Sequence, residues 1–291
     1  ILFSKSKILP KAEDLKFRFG LESPTYNIIL EELENAWKKI KDRESSKIKI
    51  DLWKKHMEIV YGRKPTESSF LDQTFLVLLV KLLVYLRIHR LDKSEEFNVH
   101  EALTGKYFKD FGISNLVEEG YYSWVIDDEI YHNLKETFNT LLKQLMRYEV
   151  SQIDEDLFKE IYQEIIRKED RHRIGEYYTP EWVAELTLLK AIESYNAKHS
   201  DKIPSILDPA CGSGTFLTNA IHILKKKLKK RKSRAHLEKV LTTIRNNVVG
   251  ADINPLAVYI ARANYIFALG DLLAFKKDIL TLPVYVADTF Q

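Results

Sequence analysis

A tight glycine turn between an apolar run and a helical pattern constrains the fold of this chain more than any other feature. The turn is Asp208-Pro209-Ala210-Cys211-Gly212-Ser213-Gly214. The run 204–207 before it has strand character, and 218–224 after it has the pattern of a helix. A strand, a glycine turn and a helix start form a place where main-chain N–H groups point at a ligand, because glycine lets the main chain approach closely.

The composition of the turn argues against the best-known phosphate sites. It contains no Gly-Lys-Ser or Gly-Lys-Thr, so it is not the cradle of a nucleoside triphosphate. Leu217 stands where the dinucleotide-binding fingerprint has its third glycine. A Gly-x-Gly turn alone is equally typical of an ordinary strand-to-helix connection, and the neighbouring motifs therefore decide its role.

Further apolar runs downstream of the turn end in acidic residues. Asp252 closes the run 247–251, and Asp288 closes the run 283–287. The alternation of strands and helices predicts a parallel sheet that binds its ligand at the carboxyl ends of the strands, where Asp208 also falls. A carboxylate at the tip of the second strand can accept hydrogen bonds from ribose hydroxyls.

A fourth motif lies upstream, where Tyr178-Thr179-Pro180 precedes a helical pattern. Taken in the order in which they occur along the chain, the four motifs resemble those of the S-adenosylmethionine-dependent DNA adenine-N6 methyltransferases of restriction-modification systems. The resemblance is to the type I modification subunit and the type IIG restriction-methylase class. It covers residues 171–291 and is specific, because the motifs follow one another in the order that the family has.

The resemblance implies an S-adenosylmethionine site and a role for each matching residue. The Tyr-Thr-Pro segment closes over the methionine end of the cofactor, the glycine turn surrounds the same end, and the acids downstream hold the ribose and the adenine. In that order the implied cofactor-binding residues are Tyr178, Thr179, Pro180, Asp208, Ala210, Gly212, Gly214, Asp252 and Asp288. The charge of Asp208 also suits the ammonium or sulfonium group of the cofactor.

The implied activity is methyl transfer from S-adenosylmethionine to the exocyclic amine of adenine in double-stranded DNA, which requires the base to leave the duplex stack. A specificity or restriction subunit or domain is the implied partner. Two alternatives stay open. The cofactor motifs also occur in methyltransferases that act on RNA or protein, and a non-catalytic module of a defence complex would bind cofactor or DNA with the same motifs.

The chain contains no catalytic motif of this family. Asn254-Pro255-Leu256 is distinct from the family's Asn-Pro-Pro-aromatic motif, because it follows Asp252 closely and has the chemistry of a helix start. We therefore assign no catalytic residue and expect an N-terminal fragment whose methyltransferase domain is incomplete at its carboxyl end. Cys211 lies inside the turn, where a packed small side chain is expected rather than a nucleophile.

The hydrophobic periodicity predicts an α/β protein with two domains. Residues 1–170 are predicted to form a helical N-terminal domain, and residues 171–291 a Rossmann-like parallel-sheet domain. The family resemblance implies that this second domain binds S-adenosylmethionine. Residues 1–20 are predicted to be irregular. The most apolar stretch, 69–91, is predicted to be a buried core helix rather than a transmembrane span, because it contains several charged side chains.

Composition sets broad limits on partners and location. The net charge of +3, from 45 basic and 42 acidic residues, gives no strong indication of a nucleic-acid-binding surface. A single cysteine excludes an internal disulfide framework and favours a cytoplasmic location. The histidines form neither a His-Glu-x-x-His motif nor a Cys/His cluster, so no metal site is predicted, and no membrane partner is expected.

Two local features each have a structural and a nucleic-acid-binding interpretation, and the structural interpretation is favoured for both. The basic run 225–234 is a solvated helix end or a contact with DNA phosphates. The aromatic cluster 121–124 packs in the core or stacks on bases. Arg171 and Arg173, beside the Tyr-Thr-Pro segment, are the preferred candidates for contact with DNA.

Overall fold

The chain forms two compact units. The computed structural model describes residues 7–92, 96–116, 120–153, 156–166, 179–199, 202–228 and 233–289. The first unit comprises Ile1–Phe108 and Val117–Ile174, and the second comprises Lys109–Leu116 and Gly175–Gln291. A short segment from the N-terminal half of the chain therefore belongs to the second unit. The predicted domain boundary at residue 170 lies outside the described residues.

All regular secondary structure in the described part of the first unit is helical, apart from an isolated bridge between Ile8 and Tyr148. Its helices run in chain order as α1 Ala12–Phe19, α2 Pro24–Ile40, α3 Glu44–Tyr61, α4 Glu67–Asp92, α5 Val99–Thr104, α6 Lys106–Asp110, α7 Asp128–Leu145 and α8 Lys159–Ile165. Short 3-10 helices occupy Tyr121–Ile126 and Val150–Gln152. The final residues of α6 belong to the second unit.

Helix α4 is the core element of the first unit. Nearly every side chain from Phe70 to His89 is buried, and 89% of its most apolar 18-residue stretch lies inside the protein. The same fraction is buried in the other long apolar helical stretch, Pro255–Phe275. Both helices are long and apolar enough to cross a membrane by length and composition, but burial against neighbouring helices accounts for the apolar surface of α4.

The prediction that residues 1–20 are irregular is wrong for the helix α1. Its side chains Leu15 and Phe19 are buried, and the Arg18 guanidinium lies 3.0 Å from the Asp14 carboxylate one turn before it. Two apolar positions four residues apart are too weak a pattern to predict a helix. Their burial against the rest of the unit stabilises it instead.

The second unit contains a three-stranded parallel sheet within its described residues. Its elements are α9 Glu181–Lys198, β1 Ile206–Asp208, α10 Thr215–Leu228, α11 Arg234–Asn247, β2 Val248–Asp252, α12 Pro255–Leu269, a 3-10 helix Gly270–Phe275 and β3 Val284–Val286. The strand order is β1-β2-β3, with Asp208 opposite Gly250 and Asp252 opposite Val286. The predicted parallel strands are confirmed, whereas a complete Rossmann domain is not present in the described sheet.

Helix α12 begins as its first residues predict. The Asn254 side chain accepts a hydrogen bond from the Leu256 main-chain N–H at 3.0 Å, and Pro255 occupies the first turn. An asparagine cap and a proline at the first helical position both stabilise a helix start. This confirms that Asn254-Pro255 is a capping motif, and it places the start of α12 directly after the end of β2.

Candidate functional site

Two acidic strand ends lie side by side at the carboxyl edge of the sheet. Asp208 ends β1 and Asp252 ends β2, and the two strands are parallel neighbours. One Asp252 carboxylate oxygen, Oδ2, accepts a hydrogen bond from the Gly212 N–H at 2.8 Å. The other oxygen accepts one from the Asn254 N–H, also at 2.8 Å. Asp252 therefore ties the glycine turn to the end of the second strand.

Main-chain hydrogen bonds give the glycine turn a defined shape. The Cys211 N–H donates to the Ala251 carbonyl at 2.9 Å, and the Gly214 N–H donates to the Cys211 carbonyl at 2.8 Å. The Ala210 N–H donates to the Asp208 carboxylate at 3.2 Å. These bonds hold the turn against β2, so the two aspartates and the turn lie together at one edge of the sheet.

The two glycines of the turn have different surroundings. Gly212 has a φ of +51°, and no heavy atom lies within 4 Å of the position that a Cβ would take. Gly214 has a φ of +94°, and a Cβ there would lie 3.2 Å from the Ala261 Cβ of α12. Gly212 therefore borders open space, whereas Gly214 allows the turn to pack closely on a helix.

Two residues of this region were not predicted. A Cβ on Gly250, in the middle of β2, would lie 2.6 Å from Leu217 Cδ1 and 3.1 Å from Cys211 Sγ, so a larger residue would force these side chains to shift. Asn264 is 1% exposed, and its side-chain amide donates to the Ser213 carbonyl at 2.9 Å. The available signals were a glycine inside an apolar strand and an asparagine inside an apolar helix.

The site is electrostatically suited to a cation. Burial is the main cause that raises the pKa of both aspartates, and the negative charge of Asp252 further raises the pKa of Asp208. The main-chain N–H groups of Asn254, Gly212 and Ile253 oppose this effect at Asp252. Two partly buried carboxylates in mutual repulsion would be stabilised by a positively charged ligand.

Cys211 stays a thiol in this environment. Its side chain is 6% exposed, and burial raises its pKa, with the charges of Asp252 and then Asp208 acting in the same direction. A thiol that resists ionisation is a poor nucleophile. The structure therefore supports the prediction that Cys211 packs inside the turn.

The end of the third strand approaches the same edge of the sheet. The Ala287 N–H donates to the Asp252 carbonyl at 3.0 Å, and the Thr289 hydroxyl donates to the Pro209 carbonyl at 2.8 Å. Asp288 is exposed between these two anchored residues. All three acids predicted at strand ends are thus at one edge, although Asp288 is the most solvent-accessible of them.

The upstream motif is only partly described. Pro180 precedes α9, and its carbonyl accepts hydrogen bonds from the Val183 and Ala184 N–H groups at 2.9 and 3.1 Å. Among the described hydrogen bonds, none joins Thr179 or Pro180 to the glycine turn. Tyr178 lies outside the described residues, as do the two arginines predicted to contact DNA, at positions 171 and 173.

Residues of the basic run 225–234 and of the aromatic cluster 121–124 form hydrogen bonds within the described part of the chain. The ammonium group of Lys225, in the basic run, donates a hydrogen bond to the Ala268 carbonyl at the C-terminus of α12, at 2.6 Å. Trp124 is fully buried, and the Tyr122 hydroxyl donates to the Gln73 side chain at 2.6 Å. Core packing is therefore confirmed for Trp124, whereas Tyr122 is half-buried and its hydroxyl is bonded within the same unit. Residues 229–232 of the basic run lie outside the described residues.

No group of three or more His, Cys, Asp or Glu side chains is placed to hold a metal ion within the described residues. The polar groups described at the edge of the sheet are carboxylates and main-chain N–H groups. Acidic residues at the ends of adjacent parallel strands, joined to a glycine turn before a helix, are typical of α/β domains that bind a nucleoside cofactor.

A family model matches the part of the chain that contains the glycine turn. Residues 153–281 match the family model described as N-6 DNA Methylase. The match includes the glycine turn and Asp252 and ends before β3. No match was found among the curated proteins.

Among solved structures, the chain is similar to one described as the cryo-EM structure of a DrdV–DNA complex. The TM-score is 0.52 at 15% sequence identity, over 96% of this chain and 25% of that one. The present chain therefore spans about a quarter of the length of that protein, and the likeness is one of fold.

Proposed function

We propose that this chain provides the S-adenosylmethionine-binding part of a DNA methyltransferase that acts on the exocyclic amine of adenine in a restriction-modification system. The observation that carries the proposal is the 2.8 Å hydrogen bond from the Gly212 N–H to Asp252, which brings the glycine turn and the acidic strand ends together. The match of residues 153–281 to the N-6 DNA Methylase model supports the reaction class.

The residues at this edge fit the proposed cofactor. The open space beside Gly212 leaves room for a ligand against the main chain. The Asp252 oxygens accept the Gly212 and Asn254 N–H groups, and the Ile253 N–H also bonds this carboxylate. A carboxylate has about four acceptor positions, so at least one is left for a ribose hydroxyl. Asp208 and Asp252 together supply negative charge for the sulfonium and ammonium groups.

The bound cofactor would supply a methyl group activated by the positive sulfonium. The residues of this chain would hold that group rather than react with it: Asp208 and the glycine turn at the methionine end, Asp252 at the ribose and Asp288 near the adenine. Methyl transfer to an amine in duplex DNA requires the base to be flipped out of the stack. Binding of duplex DNA in preference to RNA of the same length and at the same salt concentration would support the proposed acceptor.

Substitution of Asp252 tests the cofactor site directly. Asp252→Ala is expected to weaken binding of S-adenosylmethionine by about 1–3 kcal/mol, because it removes a charge-assisted acceptor of the ribose. Asp252→Asn retains one oxygen acceptor but no charge, and it is expected to be intermediate. Isothermal titration calorimetry measures the affinities of the unmodified protein and of the two variants. The exposed Asp278→Ala is the matched control in the same unit.

The Asp252 experiment needs a second measurement, because the same carboxylate holds the turn. Hydrogen exchange at the Gly212 amide reports whether the turn stays in place in each variant. Weaker binding by Asp252→Asn with a protected Gly212 amide would support a direct role in binding. An unchanged affinity of Asp252→Ala would contradict the proposed site.

Acidification is expected to weaken cofactor binding but to stabilise the unliganded site. Burial raises the pKa of Asp208 and Asp252 above the ordinary value of 3.8, so both take up protons at a higher pH than exposed aspartates. The folded state then binds protons more tightly than the unfolded chain. Its stability rises as the pH falls through the raised pKa values towards 3.8. Protonation also removes the attraction for a cation.

Calorimetric titrations with S-adenosylmethionine from neutral to mildly acidic pH measure this effect. An Asp208→Asn variant is the control, since it removes one of the two titrating groups and should flatten the pH dependence. An affinity that does not change with pH in the unmodified protein would show that these carboxylates do not face the positive groups of the ligand.

A further inference from the structure

The segment Lys109–Leu116, hereafter the 109–116 segment, completes the second unit from a distant part of the sequence. The chain on both sides of it belongs to the first unit. Its main chain forms a parallel bridge between Ile113 and Leu280, shortly before β3. The Leu280 N–H donates to the Gly112 carbonyl at 2.8 Å, and the Ser114 N–H donates to the Leu280 carbonyl at 3.1 Å.

One side chain of the segment binds both polar main-chain groups of Leu282. The Asn115 amide nitrogen donates to the Leu282 carbonyl at 2.9 Å, and the Asn115 amide oxygen accepts from the Leu282 N–H at 2.8 Å. Leu282 is fully buried and lies two residues before β3. Because buried main-chain groups are costly to leave unpaired, this amide fixes the path of the chain into the strand.

A buried arginine connects the segment, the strand and a helix. Arg262 of α12 is 7% exposed. Its Nε donates to the carbonyl of Val284, the first residue of β3, at 2.9 Å. One of its terminal nitrogens donates to the main-chain carbonyl of Asn115 at 2.8 Å. The guanidinium can hold both carbonyls at once because its donors are fixed in one plane.

The same turn of α12 also holds the glycine turn. Ala261, the residue before Arg262, is the one that Gly214 approaches, and Asn264 binds the Ser213 carbonyl. Helix α12 therefore fixes the glycine turn through Ala261 and Asn264, and it fixes β3 together with Asn115 through Arg262.

We propose that Asn115 and Arg262 are positioning residues, which set the end of β3 at the correct distance from the glycine turn for a nucleoside cofactor. The inference rests on the proposed function for the identity of the cofactor. It adds that the binding site is built from two separate stretches of the chain. The helical half of the sequence thus contributes a structural element that the cofactor site needs.

The experiment uses the whole chain and varies Asn115. Asn115→Leu has a similar size but loses both hydrogen bonds to Leu282. Asn115→Asp keeps the acceptor for the Leu282 N–H but loses the donor to the Leu282 carbonyl. Ser114→Ala is the matched control, because the exposed Ser114 hydroxyl contacts only the Thr281 hydroxyl among the described side chains, at 2.9 Å.

Three measurements are made on each variant. Hydrogen exchange at residues 282–287 reports the position of β3, calorimetry with S-adenosylmethionine reports binding, and tryptophan fluorescence reports unfolding of the first unit. Asn115→Leu is expected to exchange faster at 282–287 and to bind roughly tenfold more weakly, the usual effect of one lost buried hydrogen-bonding pair. Asn115→Asp should recover part of both effects, and Ser114→Ala should match the unmodified protein in all three.

The outcomes separate this inference from the proposed function. If the unmodified protein does not bind S-adenosylmethionine, the proposed function fails, whatever the exchange data show. If it binds, and Asn115→Leu exchanges faster but binds equally well, the segment is only structural and the positioning role is wrong. Should Asn115→Leu fail to fold, Asn115→Asp decides: an unchanged affinity with faster exchange at 282–287 overturns the inference.

Discussion

A Gly214→Ala variant is expected to lose roughly 3 kcal/mol of stability in the second unit, the sum of an unfavourable positive φ and overpacking. Gly214 has a φ of +94°, which side chains other than glycine rarely adopt. Its added methyl group would meet the Ala261 Cβ at 3.2 Å and the Ala261 Cα at 3.3 Å. The helix backbone cannot move away easily, because α12 is buried along most of its length.

Gly212→Ala is the matched comparison, two residues earlier in the same turn. Its φ of +51° carries the penalty of a left-handed residue, about 1 kcal/mol. No overpacking adds to this penalty, because no atom lies within 4 Å of the new Cβ. The methyl group would instead enter the space proposed for the cofactor. We expect Gly212→Ala to keep most of the stability of the unit but to lose cofactor binding.

Native-state hydrogen exchange of the β1 and β2 amides measures the opening free energy of the second unit separately from the first. Calorimetry with S-adenosylmethionine measures binding in both variants. Equal loss of stability in the two variants would show that Gly214 does not depend on its contact with α12. Full cofactor affinity in Gly212→Ala would show that the ligand does not occupy the space beside that residue.

A Lys81→Met variant is expected to be about 2 kcal/mol more stable than the unmodified protein at pH 7, the balance between removing a buried charge and losing one hydrogen bond. Lys81 lies in the middle of α4 and is 6% exposed. Within the described residues its ammonium has one hydrogen bond, to the Leu103 carbonyl at 2.9 Å. Burial lowers its pKa from 10.5 to about 8.

The lowered pKa predicts a specific dependence on pH. Between pH 8 and 10.5 the unfolded chain holds a proton on Lys81 that the folded protein has released. The unfolded state binds more protons in this range, so the stability of the unmodified protein rises with pH, by up to about 3 kcal/mol. The advantage of Lys81→Met should therefore be largest at neutral pH and should disappear near pH 10.5.

Tryptophan fluorescence in a denaturant series can follow the first unit selectively. Trp37, Trp53 and Trp124 are buried in that unit, whereas Trp182 of the second unit is 68% exposed. The exposed Lys55→Met on α3 is the control for removal of a positive charge. A stability difference between Lys81→Met and the unmodified protein that stays constant with pH would show that the Lys81 pKa is not lowered by folding.

Local patterns were sufficient to predict several parts of the fold. The apolar runs predicted three strands, and the capping chemistry of Asn254 and Pro255 predicted the start of α12. The charged residues inside 69–91 indicated a core helix, which the burial of α4 supports. Helix α1 was missed because its two buried side chains form too short a pattern to recognise.

Parts of the candidate site were also within reach of the sequence. The placement of Asp208 and Asp252 at the end of neighbouring strands follows from alternating strands and helices, since parallel strands bring their carboxyl ends to one edge. The double use of Asp252, as a support of the turn and as a proposed ligand group, was not predictable. It depends on a hydrogen bond between residues 40 positions apart in the chain.

The sequence by itself determined which segments form strands, turns and helices around the site and which acids end the strands, because hydrophobic period, glycine and capping residues act over a few neighbouring positions. Only the tertiary structure decided that Gly214 packs on α12 while Gly212 borders open space, and that Asn115 joins the chain before β3. These facts depend on close contacts between distant segments, which no local pattern of residues specifies.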